Sequence, residues 1–369
     1  MAYPCSRIAV VGAGSSGLYL ALLLQRAGHQ VRLFERSPTP RSEGCGILLV
    51  AAGVEAIAAS GDSSLLQRLL AAGQPVARFV VRNLRGDTIN AEAASQDPGR
   101  QPSLLIPRSA ILDALWQGFA AEDFCGEAEL IGWQQSNDRV DAFFANGDIW
   151  SGDLLIAADG IFSRVAPVLV PGHSLNYLGD RVWRGVVEDA HFCTAGDFFV
   201  YARGRGIYAN FFDLGADSSG VQRTHWGFFH EEPLPASREQ RRQLLSEPIP
   251  AEALAKLHPE AAALIAATLP QQLTANWSYD IEPLPRLVQG RVALIGDAAH
   301  AMSSSQARGM TAGLEDAQAL AQALAASPED LPSALLAYQA ERLPLVHNYQ
   351  NRSRAVSNRV GRRRIPAAA

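Results

Sequence analysis

Ile8-Ala-Val-Val-Gly12-Ala-Gly14-Ser-Ser-Gly17-Leu-Tyr-Leu-Ala-Leu-Leu-Leu-Gln25 is the stretch that decides the fold. Ile8 to Val11 is a short apolar run of the kind that fills a buried parallel strand. The glycines then break the run, and Leu18 to Gln25 predicts a helix buried on most sides, ended by Gly28 as a C′ glycine. Val31-Arg-Leu-Phe-Glu35 follows as a second strand, giving a βαβ unit within residues 8–35. The turn carries the spacing Gly-x-Gly-x-x-Gly between a strand and a helix. Gly12 permits the tight turn, Gly14 lets backbone approach a pyrophosphate, and Gly17 allows close helix–strand packing. Ser15 and Ser16 stand at the helix N-terminus, whose free N–H groups and dipole attract phosphate. Glu35 lies 21 residues after Gly14. A carboxylate there accepts bonds from an adenosine ribose and repels a 2′-phosphate. An ADP-containing cofactor with a free ribose follows, FAD or NAD.

The same run carries no charge and follows Arg7, so it superficially resembles a signal peptide or a membrane span. The interrupting glycines and the lack of a clean cleavage site favour a strand, a turn and a buried helix. A cytoplasmic protein without membrane insertion is the expectation. The four cysteines, Cys5, Cys45, Cys125 and Cys193, are far apart and form no C-x-x-C pair. They offer neither a metal site nor a disulfide framework. At 369 residues the chain has room for about two domains at roughly 150 residues each. Its 48% hydrophobic content excludes disorder, and its net charge of −5 argues against a nucleic-acid partner.

Beyond the first unit, residues 76–91 predict a hairpin and Ser109 to Ala121 a helix. Val140 to Phe144 and Asp153 to Ala157 predict strands. From Tyr177 to Phe229 short aromatic and β-branched runs are punctuated by glycines, the pattern of antiparallel sheet. Alanine-rich helices are expected between Ser237 and Leu269. A strand at Val292 to Ile295 and a helix from Gly309 to Ala325 return to α/β style.

Two further segments place an acid at the carboxyl end of a strand, the edge where open α/β sheets bind ligands. One is Gly152-Asp-Leu-Leu-Ile-Ala-Ala-Asp159-Gly160. The other is Gly290-Arg-Val-Ala-Leu-Ile-Gly296-Asp297-Ala-Ala-His300, followed by Arg308-Gly309-Met310-Thr311. Asp-Gly is also a common turn, and Asp297 could simply cap a helix.

Taken in this order, the three segments resemble those of the flavoprotein monooxygenases with the para-hydroxybenzoate hydroxylase fold, and the salicylate-hydroxylase-like members most of all. Arg41-Ser-Glu-Gly-Cys45-Gly46-Ile47, Ile106-Pro-Arg108 and Val182-Trp-Arg184-Gly185 extend the likeness, which spans about residues 6–325. The resemblance implies an α/β fold. A Rossmann-like FAD-binding domain, a parallel sheet with helices on both faces, is interleaved with a mostly antiparallel substrate domain. The expected division is 1–75, 103–170 and 281–345 for FAD, 76–102 and 171–280 for substrate, and 346–369 as a C-terminal helix and tail.

The likeness also assigns roles. Gly12, Gly14, Ser15, Ser16 and Gly17 would hold the FAD pyrophosphate, and Glu35 with Arg36 would serve the adenosine ribose end. Arg41, Gly46 and Arg108 would contact the phosphate, flavin and ribityl regions. Asp159 would support FAD and reduced-nicotinamide use, and Gly296 and Asp297 the ribityl chain. The Gly309, Met310 and Thr311 backbone would lie beside the flavin pyrimidine edge. FAD would be tightly bound without a covalent link, NADH or NADPH would visit transiently, and O2 would supply an oxygen atom through a flavin C4a-hydroperoxide. The substrate would be a small aromatic or heteroaromatic compound. The sequence departs from the family at Ser303, Ser304 and Ala307, where proline and a Gly-x-Gly are usual, and at Ala52 and Ala166.

No side chain is an obvious acid or base. Period-2 alternation puts Tyr208, Asn210 and Phe212 on one face of the sheet and Thr224, Trp226 and Phe228 on one face. Tyr201, Tyr208, Asn210, Trp226 and Phe228 are thus the candidate pocket residues, with sheet core as the competing assignment. Arg184 or Arg181 could meet a carboxylate or phenolate. His225 and His230 fit structural histidines, and His300 fits a shaping role at the cofactor. Arg362 to Arg364 fit a solvated tail. Competing functions are a reductase or dehydrogenase on the same fold without oxygen transfer, and a non-enzymatic FAD redox module.

Overall fold

The computed structural model describes residues 5–40, 45–95, 97, 99–189, 191–217, 219–359 and 365–366. Strand Arg7–Val11, helix Ser15–Arg26 and strand Gln30–Phe34 form the opening βαβ unit, with Ile8 to Val11 paired in parallel to Val31 to Phe34. The helix is buried from Leu18 to Leu22 and at Leu24, which is why it carries no charge before its last residue. Gly28 closes it at φ +87°, a conformation that favours glycine.

This unit sits in a six-stranded sheet. Its order is Val288–Gln289, Val292–Leu294, Leu154–Ala157, Arg7–Val11, Gln30–Phe34 and Phe124–Cys125. Every neighbouring pair is parallel except the first. Helices Gly309–Ala326 and Leu331–Arg359 belong to the same half of the molecule, where the largest apolar core lies. The last helix runs unbroken through residue 346, with Pro344 inside it. Arg362 to Arg364 lie outside the described residues.

The second large sheet is mostly antiparallel, in the order Thr274–Ile281, Leu175–Glu188, Gln222–Glu231, Ile207–Ala216, Asp197–Gly204, Arg78–Arg82 and Thr88–Ala93. The strand Ile365–Pro366 pairs antiparallel with residues 176–177 of the interior strand Leu175–Glu188. Arg78–Arg82 and Thr88–Ala93 form the expected hairpin, but Arg78–Arg82 runs parallel to Asp197–Gly204. A tight turn fixes a hairpin locally, whereas the neighbour its edge meets is a tertiary choice.

Both faces of this sheet are covered. On the outer face Trp183, Phe199, Tyr201, Phe211, Trp226 and Phe228 pack against Ala253, Leu257, Ala261, Leu264 and Ile265. These come from the short helices Ala251–Leu254 and Pro259–Ala266 and the link between them. On the inner face Phe212 and Leu214 meet Val76 and Leu105. The inner face is therefore the one turned toward the glycine-turn half of the molecule. The helix expected over residues 109–121 is shorter, Arg108–Trp116, and a three-stranded sheet at Leu130–Gln135, Val140–Phe144 and Ile149–Gly152 completes the chain's regular structure in that region.

Candidate active site

The carboxyl ends of the parallel strands open into a cavity of about 710 Å3. Its wall starts at the glycine turn. Gly12 has φ +103°, and a side chain there would collide with the Ala158 backbone. A side chain at Gly17 would collide with the Gly12 carbonyl, so Gly17 serves packing and does not line the cavity. Gly14 is the open one, with nothing within 4 Å of where its Cβ would lie. It is also the N-cap of Ser15–Arg26, a helix with no side-chain cap and no acid in its first turn. Gly12, Gly14, Ser15 and Ser16 line the cavity, so the first-turn amides meet a space a phosphate can enter.

Glu35 directly follows the second strand. Its Oε2 accepts the Ala13 N–H at 3.0 Å and its Oε1 the Ser37 N–H at 3.1 Å. It faces the same cavity with Arg36. Asp159 accepts the Arg164 N–H at 2.8 Å through Oδ2, while its Oδ1 is buried without a partner among the described residues. Burial pushes its carboxyl above the ordinary range, against hydrogen bonds from Ser163 and the Arg164 amide that pull it down. A buried acceptor left bare beside a cavity fits a ligand that donates to it.

Gly296 adopts φ 61° and ψ −143°, a backbone state suited to glycine, and turns Asp297 onto the cavity. Side chains at Gly296 or Gly313 would strike Ser16 Oγ, so both glycines make room for Ser16. Beneath the turn lies a buried ionic network. Asp316 Oδ2 accepts the Gly296 N–H at 2.9 Å and lies 2.5 Å from His300 Nε2, and Asp316 Oδ1 accepts from Arg342 Nε at 2.8 Å. His300 and Asp316 are both fully buried. Burial alone would lower the His300 pKa, but the Asp316 carboxylate raises it. Burial would raise that of Asp316, but His300 and Arg342 bring it down. Arg342 continues to Glu315, and Glu315 to Arg308.

Gly309 and Met310 open the helix Gly309–Ala326, which also lacks a side-chain cap and a first-turn acid, and both line the cavity with Arg108, Cys45 and Ile47. Thr311, a sequence candidate, is fully buried one residue further and does not reach the cavity wall with its side chain. The wall also leaves out Gly46, whose missing side chain lets its strand press on the second sheet, and Gly296 itself. Arg41 lies outside the described residues.

From the second sheet, Arg184, Thr274 and Asn276 reach the cavity, and Arg184 Nη1 donates to Asn276 Oδ1 at 3.0 Å. No carboxylate pairs with Arg184 among the described residues. Tyr208 and Asn210 share its face but not the cavity wall: Tyr208 packs edge-on to Phe229, and Asn210 covers Gly227. Three other candidates are corrected. Tyr201, Trp226 and Phe228 are fully buried on the outer face under the helices, with Trp226 Nε1 donating to Thr268. Alternation gives two faces but does not say which one a cavity will use. Arg181 is likewise committed, buried against Trp183 with bonds to Glu232 and the Leu244 carbonyl. His230 pairs with Glu232 at 2.8 Å. Thr274 and Asn276 are cavity residues not among the sequence candidates, although their alternation with Ala275 and Trp277 was the available signal. Asp316 stands in the segment that follows Gly309, but its pairing with Arg342, a residue within helical text, had no local signal.

Among the described residues no cluster of three or more His, Cys, Asp or Glu could hold a metal ion, and no helix is long and apolar enough to cross a membrane.

A single glycine-turn nucleotide site, two acids at strand ends and a second sheet roofing the cavity define a flavin-binding protein rather than a two-nucleotide reductase. A family model described as "FAD binding domain" matches residues 6–353. The FAD-dependent urate hydroxylase of Klebsiella oxytoca is 30% identical, over 92% of this chain and 86% of its own. The salicylate hydroxylase of Pseudomonas putida is 30% identical, over 94% and 84%. The crystal structure of Klebsiella pneumoniae HpxO complexed with FAD and uric acid superposes with a TM-score of 0.81. It is 26% identical, over 96% of this chain and 88% of that one. The chain belongs to the FAD-binding-domain family and, within it, to the FAD-dependent aromatic hydroxylases. It is an FAD-dependent monooxygenase.

Proposed function

We propose that the substrate is a small aromatic or heteroaromatic compound carrying an anionic or strongly accepting group, held between the flavin and the face bearing Arg184 and Asn276. The observation that carries this is an arginine on the cavity wall with no carboxylate partner among the described residues. An uncompensated cation in a partly dry site favours an anion. The urate and salicylate hydroxylases named above are relatives whose substrates have that character.

FAD, when bound, accepts hydride from NADH or NADPH and enables oxygen transfer to the substrate. The chain's own residues do the placing. The Gly14 to Ser16 amides hold the pyrophosphate, Glu35 the adenosine ribose, Asp297 the ribityl hydroxyls and the Gly309–Met310 amides the electron-rich edge of the ring system. Arg184 and Asn276 orient the substrate, while the inner sheet face limits water. We assign the three discontinuous segments 1–75, 103–170 and 281–345 to FAD and the second sheet with its helices to substrate. The proposed setting is cytoplasmic, without a nucleic-acid partner.

The test is binding of salicylate, urate and 2,6-dihydroxypyridine, each against a neutral analogue, followed by perturbation of the FAD spectrum in the parent and in Arg184→Met. Tighter binding of the anion, lost by about tenfold or more in Arg184→Met with FAD content unchanged, supports the assignment. Equal affinity of the two proteins for every probe contradicts it.

A further inference from the structure

The strand Gly46–Leu49 is the place where the two halves of the molecule touch beside the cavity, and one histidine makes the contact directional. Gly46 donates its N–H to His225 Nδ1 at 3.1 Å in a buried bond. His225 lies on Gln222–Glu231, paired across the sheet with Val186 and Phe212, and its ring lies 4.3 Å from that of Phe212. The approach is close enough that a Cβ on Gly46 would stand 2.7 Å from Phe212, 2.8 Å from His225 and 2.9 Å from Leu214. On the other side Arg108 N–H bonds the Cys45 carbonyl at 3.1 Å. Cys45 and Ile47, either side of Gly46, both face the cavity. The flavin-side strand is thus pinned from the substrate sheet through Gly46 and from the cofactor half through Cys45.

We propose that His225 is a positioning residue: as a neutral imidazole with its proton on Nε2, it anchors Gly46 and so sets where Cys45 and Ile47 stand against the flavin. Only the neutral ring can accept this bond, since a protonated ring would oppose N–H to N–H. The setting agrees. Burial, with the nearby Arg184 cation, holds the His225 pKa well below its ordinary range. The proposal rests on the assignment of this cavity to FAD.

The test exploits two amides of different reach. Asn places its Oδ1 near the Nδ1 position of histidine, whereas Gln places its amide near Nε2. In FAD-loaded protein, amide hydrogen exchange at Gly46 is measured by mass spectrometry, with the visible absorption and circular dichroism of the flavin as second readout. The expected result is that His225→Gln speeds Gly46 exchange by about tenfold or more and shifts the flavin spectrum, while His225→Asn restores both. Should His225→Gln not fold, Gly46→Ala, which forces the strand off the ring with the histidine intact, is expected to shift the spectrum in the same direction. Three outcomes overturn the proposal: parent-like exchange in His225→Gln, equal disturbance by Gln and Asn, or faster exchange with an unshifted flavin spectrum. Failure of the parent itself to bind FAD would instead overturn the cavity assignment.

Discussion

Glu35 Oε2 accepts the Ala13 N–H at 3.0 Å, so the acid proposed to read the ribose also shapes the turn proposed to read the phosphates. Two functions that the sequence lists as separate motif positions are one hydrogen-bonded unit. Glu35→Ala is therefore expected to weaken FAD binding by about 1.5–3 kcal/mol, the range for hydrogen bonds to charged groups. Fluorescence titration of apo-protein with FAD checks this, and an unchanged Kd would contradict it.

The glycine turn, Glu35, Asp159-Gly160 and Gly296-Asp297 were legible in the sequence because each is a local backbone demand written in a few residues. Gly12 and Gly17 each answer a close backbone approach, while Gly14 leaves open space at the helix N-terminus. The second sheet was legible as antiparallel but not as oriented. Tyr201, Trp226 and Phe228 looked like pocket residues because both faces of that sheet are aromatic, and the helices that bury one face lie far along the chain. His225 was legible as a structural histidine, but its partner Gly46 was not, nor was the pairing of Asp316 with Arg342, since tertiary packing sets both.

The Asp316 network should show in stability. Asp316→Asn leaves Arg342 and His300 short of a buried counter-charge and is expected to cost about 3–5 kcal/mol, measured by denaturant unfolding of the holoprotein. A loss near zero would mean the Asp316 charge contributes nothing net to stability.

Its pH dependence has a definite sign. The raised His300 pKa contributes stability that is complete below its ordinary value of 6.5 and is lost as pH rises through the raised value. The lowered Asp316 pKa contributes stability present above its ordinary 3.8 and lost as pH falls through the lowered value. The Tm difference between parent and His300→Asn should thus be largest between these two ordinary values and shrink toward alkaline pH. A difference that grows with alkaline pH would reverse the assignment.

Asp159 predicts a trade between stability and function. A buried carboxyl with a raised pKa destabilises the fold above its ordinary range, so Asp159→Asn should raise the Tm of the FAD-free protein near neutral pH. The same change should slow flavin reduction by NADH, followed by stopped-flow absorbance. A lowered apo Tm would show that the charge is compensated without ligand.

Ala307 stands at φ 52°, a left-handed state that costs a side chain with Cβ. Ala307→Gly is expected to stabilise the protein by about 0.5–1 kcal/mol in chemical unfolding. Destabilisation would mean the loop relaxes differently in solution.

The central claim is oxygen transfer, and isotopic labelling tests it most directly. Purified FAD-loaded protein is given NADH or NADPH and the best-binding aromatic probe under 18O2, and the product is weighed by mass spectrometry. One 18O atom per hydroxylated product is the expected result. Nicotinamide oxidation yielding only hydrogen peroxide across the probes, or a product oxidised without label, would contradict it.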